Sequence, residues 1–294
     1  MIKDAWKGLC LLASCGAGIA GPAQAEETGA GTAPDKSAYT LFDPTPVDQM
    51  RSFCTDRPTK SNFPCTVDAG HFQYESDVIN WSYAHTGGVT TNTYLFTNPT
   101  LKLGLTNTID AELNIVPAER IFTKSSLGRS SIGGAGDLFL RTKVNLAGPE
   151  GGDFQLTALP YVKLPTAKPG IGNKAVEGGL IVPVSFGLPS DFTLLLDPEI
   201  DILRNALNSG RHANFASLAN LGHALSESVI GYVELFGSVN DDPSGTVKQA
   251  SLDLAVAWVV SEKVPGLQLD LGANIGLTSA TPKVQAYAGI SQRF

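Results

Sequence analysis

The chain has 294 residues, 43% of them hydrophobic and only 17% charged, with a formal net charge of −7. That acidic balance argues against nucleic acid as a partner. No apolar run reaches the roughly 18 to 20 residues that a membrane-spanning helix requires.

The first stretch differs in kind from the rest. Lys3 and Lys7 precede an apolar run from Gly8 to Ala20, and Ala23-Gln24-Ala25 offers a small-residue cleavage site. This is the layout of a secretory signal peptide over residues 1–25. Leu12-Ala13-Ser14-Cys15 allows a rival reading as a lipoprotein acylation box, at the cost of a very short apolar region. Removing residues 1–25 takes away Lys3, Lys7 and Asp4 and moves the net charge to −8. Cys10 and Cys15 leave as well. The remaining pair, Cys54 and Cys65, would lie in an oxidising compartment, where a disulfide is expected. A metal or redox pair is the alternative, but the C-x-x-C spacing and clustered ligands are lacking.

Residues 26–69 are rich in Pro, Thr, Gly and Asp and show no strand alternation. They read as an irregular N-terminal periplasmic segment, a plug or cap, with two helical turns expected over Pro46 to Phe53. After Asp68-Ala69-Gly70 the texture changes, and about twelve alternating segments follow. The first spans His71 to Tyr83 and slips phase near Val78-Ile79, as a bulge would. The second runs from Val89 to Leu105 and the third from Ile109 to Val116, with a long Ser/Gly loop expected from Ala118 to Gly134. In the fourth, Leu138, Leu140, Thr142, Val144 and Leu146 alternate with Asp137, Phe139, Arg141, Lys143 and Asn145. The fifth covers Phe154 to Leu164, and Pro160 removes one ladder donor from it. A polar loop leads to the sixth, Leu180 to Leu188. The seventh sets Asp197, Glu199 and Asp201 against Leu194, Leu196, Ile200 and Ile202. Shallow alternation marks the eighth, Phe215 to Leu221. Glu234 lies among Val233, Leu235 and Val239 in the ninth, and Asp253 and Asp270 sit among leucines in the tenth and eleventh.

The last segment, Lys283 to Phe294, has Val284, Ala286, Ala288, Ile290 and Phe294 on one face and polar residues on the other. A soluble edge strand ending on an exposed Phe invites aggregation, whereas a strand closing a barrel in lipid turns that face to acyl chains. Short turns after even-numbered strands and several longer connections after odd-numbered ones suit an outer-membrane barrel, and an even count returns both ends to the periplasm. The expected fold is an all-β, transmembrane, antiparallel up-and-down barrel of about twelve strands over residues 70–294. A soluble sandwich or lipocalin-like barrel would show the same alternation with its faces reversed.

On the polar face, Glu75, Asp137, Arg141, Lys143, Lys163, Glu234, Asp253 and Asp270 are candidates for a lumen-facing charge network or a solute path. Unpaired buried charge is costly, so pairing across the interior is expected. Twelve strands imply a narrow or plugged pore. For a hydrolase, a nucleophile would need a histidine base within reach. His85 and His212 read as loop residues and His223 as a turn residue, so no catalytic residue is assigned. Asp241-Asp242 alone is not a calcium site. Neither metal nor cofactor is expected.

Asp56-Arg57-Pro58-Thr59-Lys60, Pro64 and Val67 to Glu75 resemble a family of outer-membrane transporters named for the meta-cleavage pathway of phenol degradation. The resemblance continues through Gly134-Ala135-Gly136-Asp137, Pro160 to Thr166, Glu234-Leu235-Phe236-Gly237 and Asp270 to Leu277, over about residues 40–294. The cysteine pair is not part of it. It implies a barrel in the outer membrane of a Gram-negative-type bacterium, passing small solutes, aromatic or apolar compounds among them, through a narrow channel. The alternatives are a non-conducting structural or adhesive barrel and, lower, a lipid-acting enzyme. The implied partners are outer-membrane lipid and the barrel-assembly machinery, which as outer-membrane barrels imply by resemblance reads the terminal Phe294.

Overall fold

A computed structural model describes residues 35–294. The expected signal peptide and the alternative at Cys15 lie outside the described residues. Strand one of the barrel is β1 (Phe72–Thr86). Strand two is divided into β2 (Val89–Phe96) and β3 (Thr100–Thr106), and strand three into β4 (Ile109–Asn114) and β5 (Ala118–Ser125). Strand four comprises β6 (Gly128–Gly134) and β7 (Leu138–Ala147). Strand five is β8 (Phe154–Leu164), and strand six comprises β9 (Glu177–Ile181) and β10 (Val184–Leu188). The remaining six are unbroken: β11 (Phe192–Arg204), β12 (Arg211–Ala224), β13 (Val229–Asp242), β14 (Gly245–Ser261), β15 (Gly266–Gly276) and β16 (Val284–Arg293). All pairing is antiparallel, and β16 returns to β1 with Gln73 opposite Arg293 and Tyr83 opposite Val284, closing a twelve-stranded barrel.

Burial separates the membrane barrel from its soluble alternative. Leu235, Leu254 and Leu271 are 55%, 45% and 58% exposed, while the intervening Glu234, Asp253 and Asp270 are 0%, 1% and 7% exposed. A soluble barrel would bury the leucines, so the wall is built for lipid. Aromatic side chains mark both edges of this apolar band. Phe72 packs on Phe294 and Phe154 on Phe186 at the end where the chain terminates. At the other edge Tyr94 contacts Phe96 and Phe122. Phe72 and Trp81 are nine residues apart on β1. At about 3.3 Å per residue and a tilt of about 40°, that is roughly 23 Å, close to the expected apolar height.

Several boundaries differ from the sequence reading. The expected loop from Ala118 to Gly134 is instead a hairpin, β5 and β6, that extends the wall beyond the apolar band. Its residues are mostly polar on both faces because neither face meets lipid tails or a core, so hydrophobic alternation could not reveal it. The second segment breaks at Thr97-Asn98-Pro99, where Thr97 adopts φ 59° and Pro99 offers no donor. Strand six begins earlier, at Glu177, and breaks at Val182-Pro183, where Pro183 likewise offers no donor. Strand eight is fourteen residues long, its alternation weakened by inward Ala216 and Leu218. Pro46 to Phe53 holds one 3-10 turn, Val47–Gln49, rather than two helical turns. His85 lies in β1, and His212 and His223 lie in β12, not in loops or a turn. The register slip falls between Asp77 and Ile79.

Candidate functional site

The interior is organised around the chain between Cys54 and Cys65, eleven residues apart and joined by a disulfide. This short loop enters the barrel at the mouth where β1 begins and β16 ends. Arg51 anchors its approach, with Nε 2.9 Å from Asp68 Oδ1 and Nη1 donating to the Pro149 carbonyl at 2.7 Å. Beyond Cys54, successive residues reach different strands.

Asp56 accepts from Lys143 Nζ at 2.8 Å and also from Lys102, which pairs with Glu75 at 2.6 Å. Glu112 lies 3.7 and 3.6 Å from the two ammonium groups. Burial pushes the Asp56 carboxyl upward, but Lys102 and Lys143 outweigh it and hold the group well below the usual carboxylate range. Arg57 forks, placing Nη1 2.6 Å from Asp77 and Nη2 2.6 Å from Asp270. Burial opposes its charge, yet the two carboxylates raise its pKa above the ordinary arginine value. Lys60 Nζ donates to Ser251 Oγ at 2.7 Å and sits 2.8 Å from Asp253 as an ion pair without hydrogen-bond alignment. The backbone N–H groups of Lys60 and Ser61 both point at Glu234, at 3.1 and 3.2 Å. Asn62 N–H caps Asp197 at 2.7 Å. The carbonyls of Phe63 and Pro64 accept from Lys143 and Thr157. Polar wall and polar loop thus pair extensively, although Glu112 and Asp253 keep both carboxylate oxygens without a hydrogen-bond donor.

The eight residues singled out from sequence fall into separate groups. Glu75 and Lys143 join the Asp56 cluster, Asp270 binds Arg57, and Glu234 and Asp253 hold Lys60 and Ser61. Asp137 and Lys163 form a fourth group nearer the far mouth, where Lys163 bridges Asp137 at 3.3 Å and Glu177 at 2.6 Å. Arg141 joins none of these ion pairs. Its guanidinium lies over the Phe139 ring at 5.7 Å. Missing from that set were the loop's own charges, Asp56, Arg57 and Lys60, together with Lys102 and Glu112 on the wall. An available signal was the excess of inward carboxylates over inward bases on the strands, which requires cations from elsewhere in the chain. Among the described residues, no cluster of three or more His, Cys, Asp or Glu side chains is placed to hold a metal ion.

Above the loop, toward the far mouth, lies a cavity of about 940 Å³. Glu199, His212, Asn214, Ser238, Asn240 and Asp242 are among its lining residues. Phe236 and Gln249 line both this cavity and a smaller recess of about 180 Å³ that includes Lys60, Ser251 and Gln285. The ammonium of Lys60 lies over the Phe236 ring at 4.9 Å. Phe236 and Gln249 thus stand between the vestibule and the recess at the tip of the inserted loop.

Similar folds occur among outer-membrane proteins. An outer-membrane channel from Pseudomonas putida F1 is 15% identical, with a TM-score of 0.55 over 76% of this chain and 94% of that one. The translocator domain of the autotransporter NalP from Neisseria meningitidis is 12% identical, with a TM-score of 0.48 over 82% and 91%. The β domain of the Bordetella autotransporter BrkA is 14% identical, with a TM-score of 0.47 over 76% and 98%. No curated protein matches the sequence. The likeness to the Pseudomonas putida channel agrees with the barrel fold described above. The sequence itself matches the family described as the MetA-pathway of phenol degradation across residues 55–294, from the inserted loop to the closing strand, and the chain belongs to that family.

Proposed function

We propose that this barrel gives passage to small solutes across the outer membrane, with the loop from Cys54 to Cys65 forming the floor of its external vestibule. The observation that carries this reading is the cavity of about 940 Å³, which shares Phe236 and Gln249 with the smaller recess at Lys60. A barrel serving only as a scaffold has no need of a vestibule lined by hydrogen-bonding side chains. Small aromatic compounds are the solute class favoured by the family's description, and the Pseudomonas putida relative is itself named a channel. The charges nearest the inserted loop act as its docking surface, and the solute path lies along the vestibule side, past Phe236 and Lys60.

The chemistry offers less to an enzyme. The ring nitrogens of His71 face the backbone oxygens of Phe294 and Thr45, and His223 stacks on Phe192 with centroids 4.1 Å apart. His85 contacts Thr90, and His212 contacts Asn205. None of these contacts pairs a histidine with a serine.

Uptake of small phenols and of sugars into liposomes, alongside planar-bilayer conductance, tests the proposal. Passage of at least one solute class is expected, increasing when Lys60 is replaced by alanine. Silence of both proteins across all solutes and voltages would leave the non-conducting barrel as the better reading.

A further inference from the structure

The hairpin of β5 and β6 carries a charged surface that the passage of solutes does not use. On β1, Asn80 points inward to Asp77 and Gln285, so Trp81, Tyr83 and His85 point outward. Register extends that outward face across four strands. Trp81 is opposite Tyr94, then Arg120, then Gly133. Tyr83 leads through Asn92 and Phe122 to Ser131, and His85 through Thr90 and Lys124 to Arg129.

The result is an aromatic base surmounted by cations. Lys124 and Arg129 are directly opposite one another on this face, and Arg120 lies four residues before Lys124 on the same strand and the same face. All three are exposed, and among the described residues none of them forms an ion pair. The hairpin's carboxylate, Glu119, alternates to the other face. Like charges directly opposite across a strand pair are destabilising on their own. Such a pair without a carboxylate, in a chain of net charge −7, calls for an anion from outside.

Position identifies the anion. Tyr94, Phe96 and Phe122 mark the upper edge of the apolar wall, and the cations stand at and above that edge on the lipid-facing side. The even strand count places this edge at the mouth opposite the start of β1 and the end of β16, hence in the outer leaflet. We propose that Arg120, Lys124 and Arg129 bind the phosphate groups of the phosphorylated glycolipid of that leaflet, lipid A, while its acyl chains lie along the aromatic and aliphatic wall below. Arginine suits this role because its planar fork matches phosphate oxygens, and the lysine supplies a point charge beside it. The inference rests on the membrane placement of the wall and not on solute passage, so a barrel that conducts nothing would still bind.

The test is the thermal midpoint of the purified, detergent-folded protein with four additives: bis-phosphorylated lipid A, dephosphorylated lipid A, phosphatidylglycerol and inorganic phosphate. An upward shift is expected with phosphorylated lipid A, with at most a small one for each of the others. The R120Q/K124Q/R129Q variant should lose the shift and keep the midpoint of the unliganded protein. An equal shift with dephosphorylated lipid A or with phosphatidylglycerol would overturn the proposal, as would an undiminished shift in the variant. A response to inorganic phosphate alone would mark an adventitious anion site and overturn it too. Should the variant fail to fold, the comparison of phosphorylated with dephosphorylated lipid A on the wild-type protein decides the matter alone.

Discussion

Arg57 and Asp270 meet as a two-pronged pair inside the barrel, Nε 3.0 Å from Oδ2 and Nη2 2.6 Å from Oδ1. The remaining prong reaches Asp77 on β1, so one side chain from the inserted loop ties together two strands on either side of β16. Replacing Arg57 with methionine would leave two buried carboxylates without their cation. A loss of about 3–5 kcal/mol is expected. Arg57→Lys should recover only part of it, because an ammonium cannot form the planar fork. Urea unfolding of the detergent-folded barrel measures both, and a methionine variant as stable as wild type would contradict this account of the loop's anchoring.

The disulfide acts on the same loop by another route. Cys54 and Cys65 close a segment of eleven residues, for which the constraint on the unfolded chain is worth about 2–3 kcal/mol. The double variant C54S/C65S should therefore unfold at lower urea while retaining the barrel. Proteolysis within residues 54–65 should become faster, because the loop can then lift from its contacts. Unchanged protease resistance would show that the ion pairs alone hold it.

Acid should weaken the loop through Asp56. Its folded pKa is depressed, chiefly by Lys102 and Lys143 acting against burial. An unfolded aspartate titrates near about 3.9, so the unfolded chain binds the proton first as pH falls. The contribution of Asp56 is complete above that value and is lost as pH drops further, toward the folded pKa. The stability gap between wild type and Asp56→Asn should be full at neutral pH and shrink below about pH 4. Urea midpoints of both proteins across that range read the effect directly. A gap independent of pH would assign the role of Asp56 to shape, not charge.

Backbone contact between the N-terminal segment and the wall requires a glycine at one position. Gly104 donates to the His71 carbonyl and accepts from Gly70 N–H, and a Cβ built on it would overlap the backbone of Asp68. The obstacle is main chain and cannot rotate away. Gly104→Ala should therefore cost about 1–3 kcal/mol. Gly237 is a suitable control, since a Cβ there meets nothing within 4 Å. Gly237→Ala should be nearly neutral, and equal effects at the two sites would remove the steric explanation.

Much of the wall was legible in the sequence because lipid imposes a strict alternation: Leu235 and Leu254 must face out if Glu234 and Asp253 face in. The β5–β6 hairpin was not legible, since beyond the apolar band nothing forces one face to be oily, and Arg120 and Arg129 look like loop residues. The charge network was half legible. Glu75, Lys143, Glu234 and Asp270 could be placed inward by register alone, but their partners Asp56, Arg57 and Lys60 sit in an irregular segment whose path no periodicity describes. The reading of residues 26–69 as a plug or cap set the segment against the barrel without indicating which of its charges meets which strand.

Phe294 completes the seam, donating from N–H to the Phe72 carbonyl at 2.8 Å and accepting from Phe72 N–H at 3.3 Å. His71 Nδ1 also approaches its carbonyl, at 3.0 Å, and its ring, half exposed toward the outside, packs beside Phe72. Backbone and ring can be separated experimentally. Phe294→Ala keeps the two backbone bonds and removes the aromatic, whereas deleting Phe294 removes both and ends the chain on Arg293, whose side chain points inward to the Arg51 carbonyl. If the ring is the feature read by the assembly machinery, both variants should leave protein unassembled in the periplasm, while both should refold in detergent, where no machinery acts. Assembly is measured as heat-modifiable barrel in isolated outer membranes. Normal assembly of Phe294→Ala beside failure of the deletion would assign the requirement to the seam's hydrogen bonds. Normal assembly of both would remove Phe294 from any role in delivery.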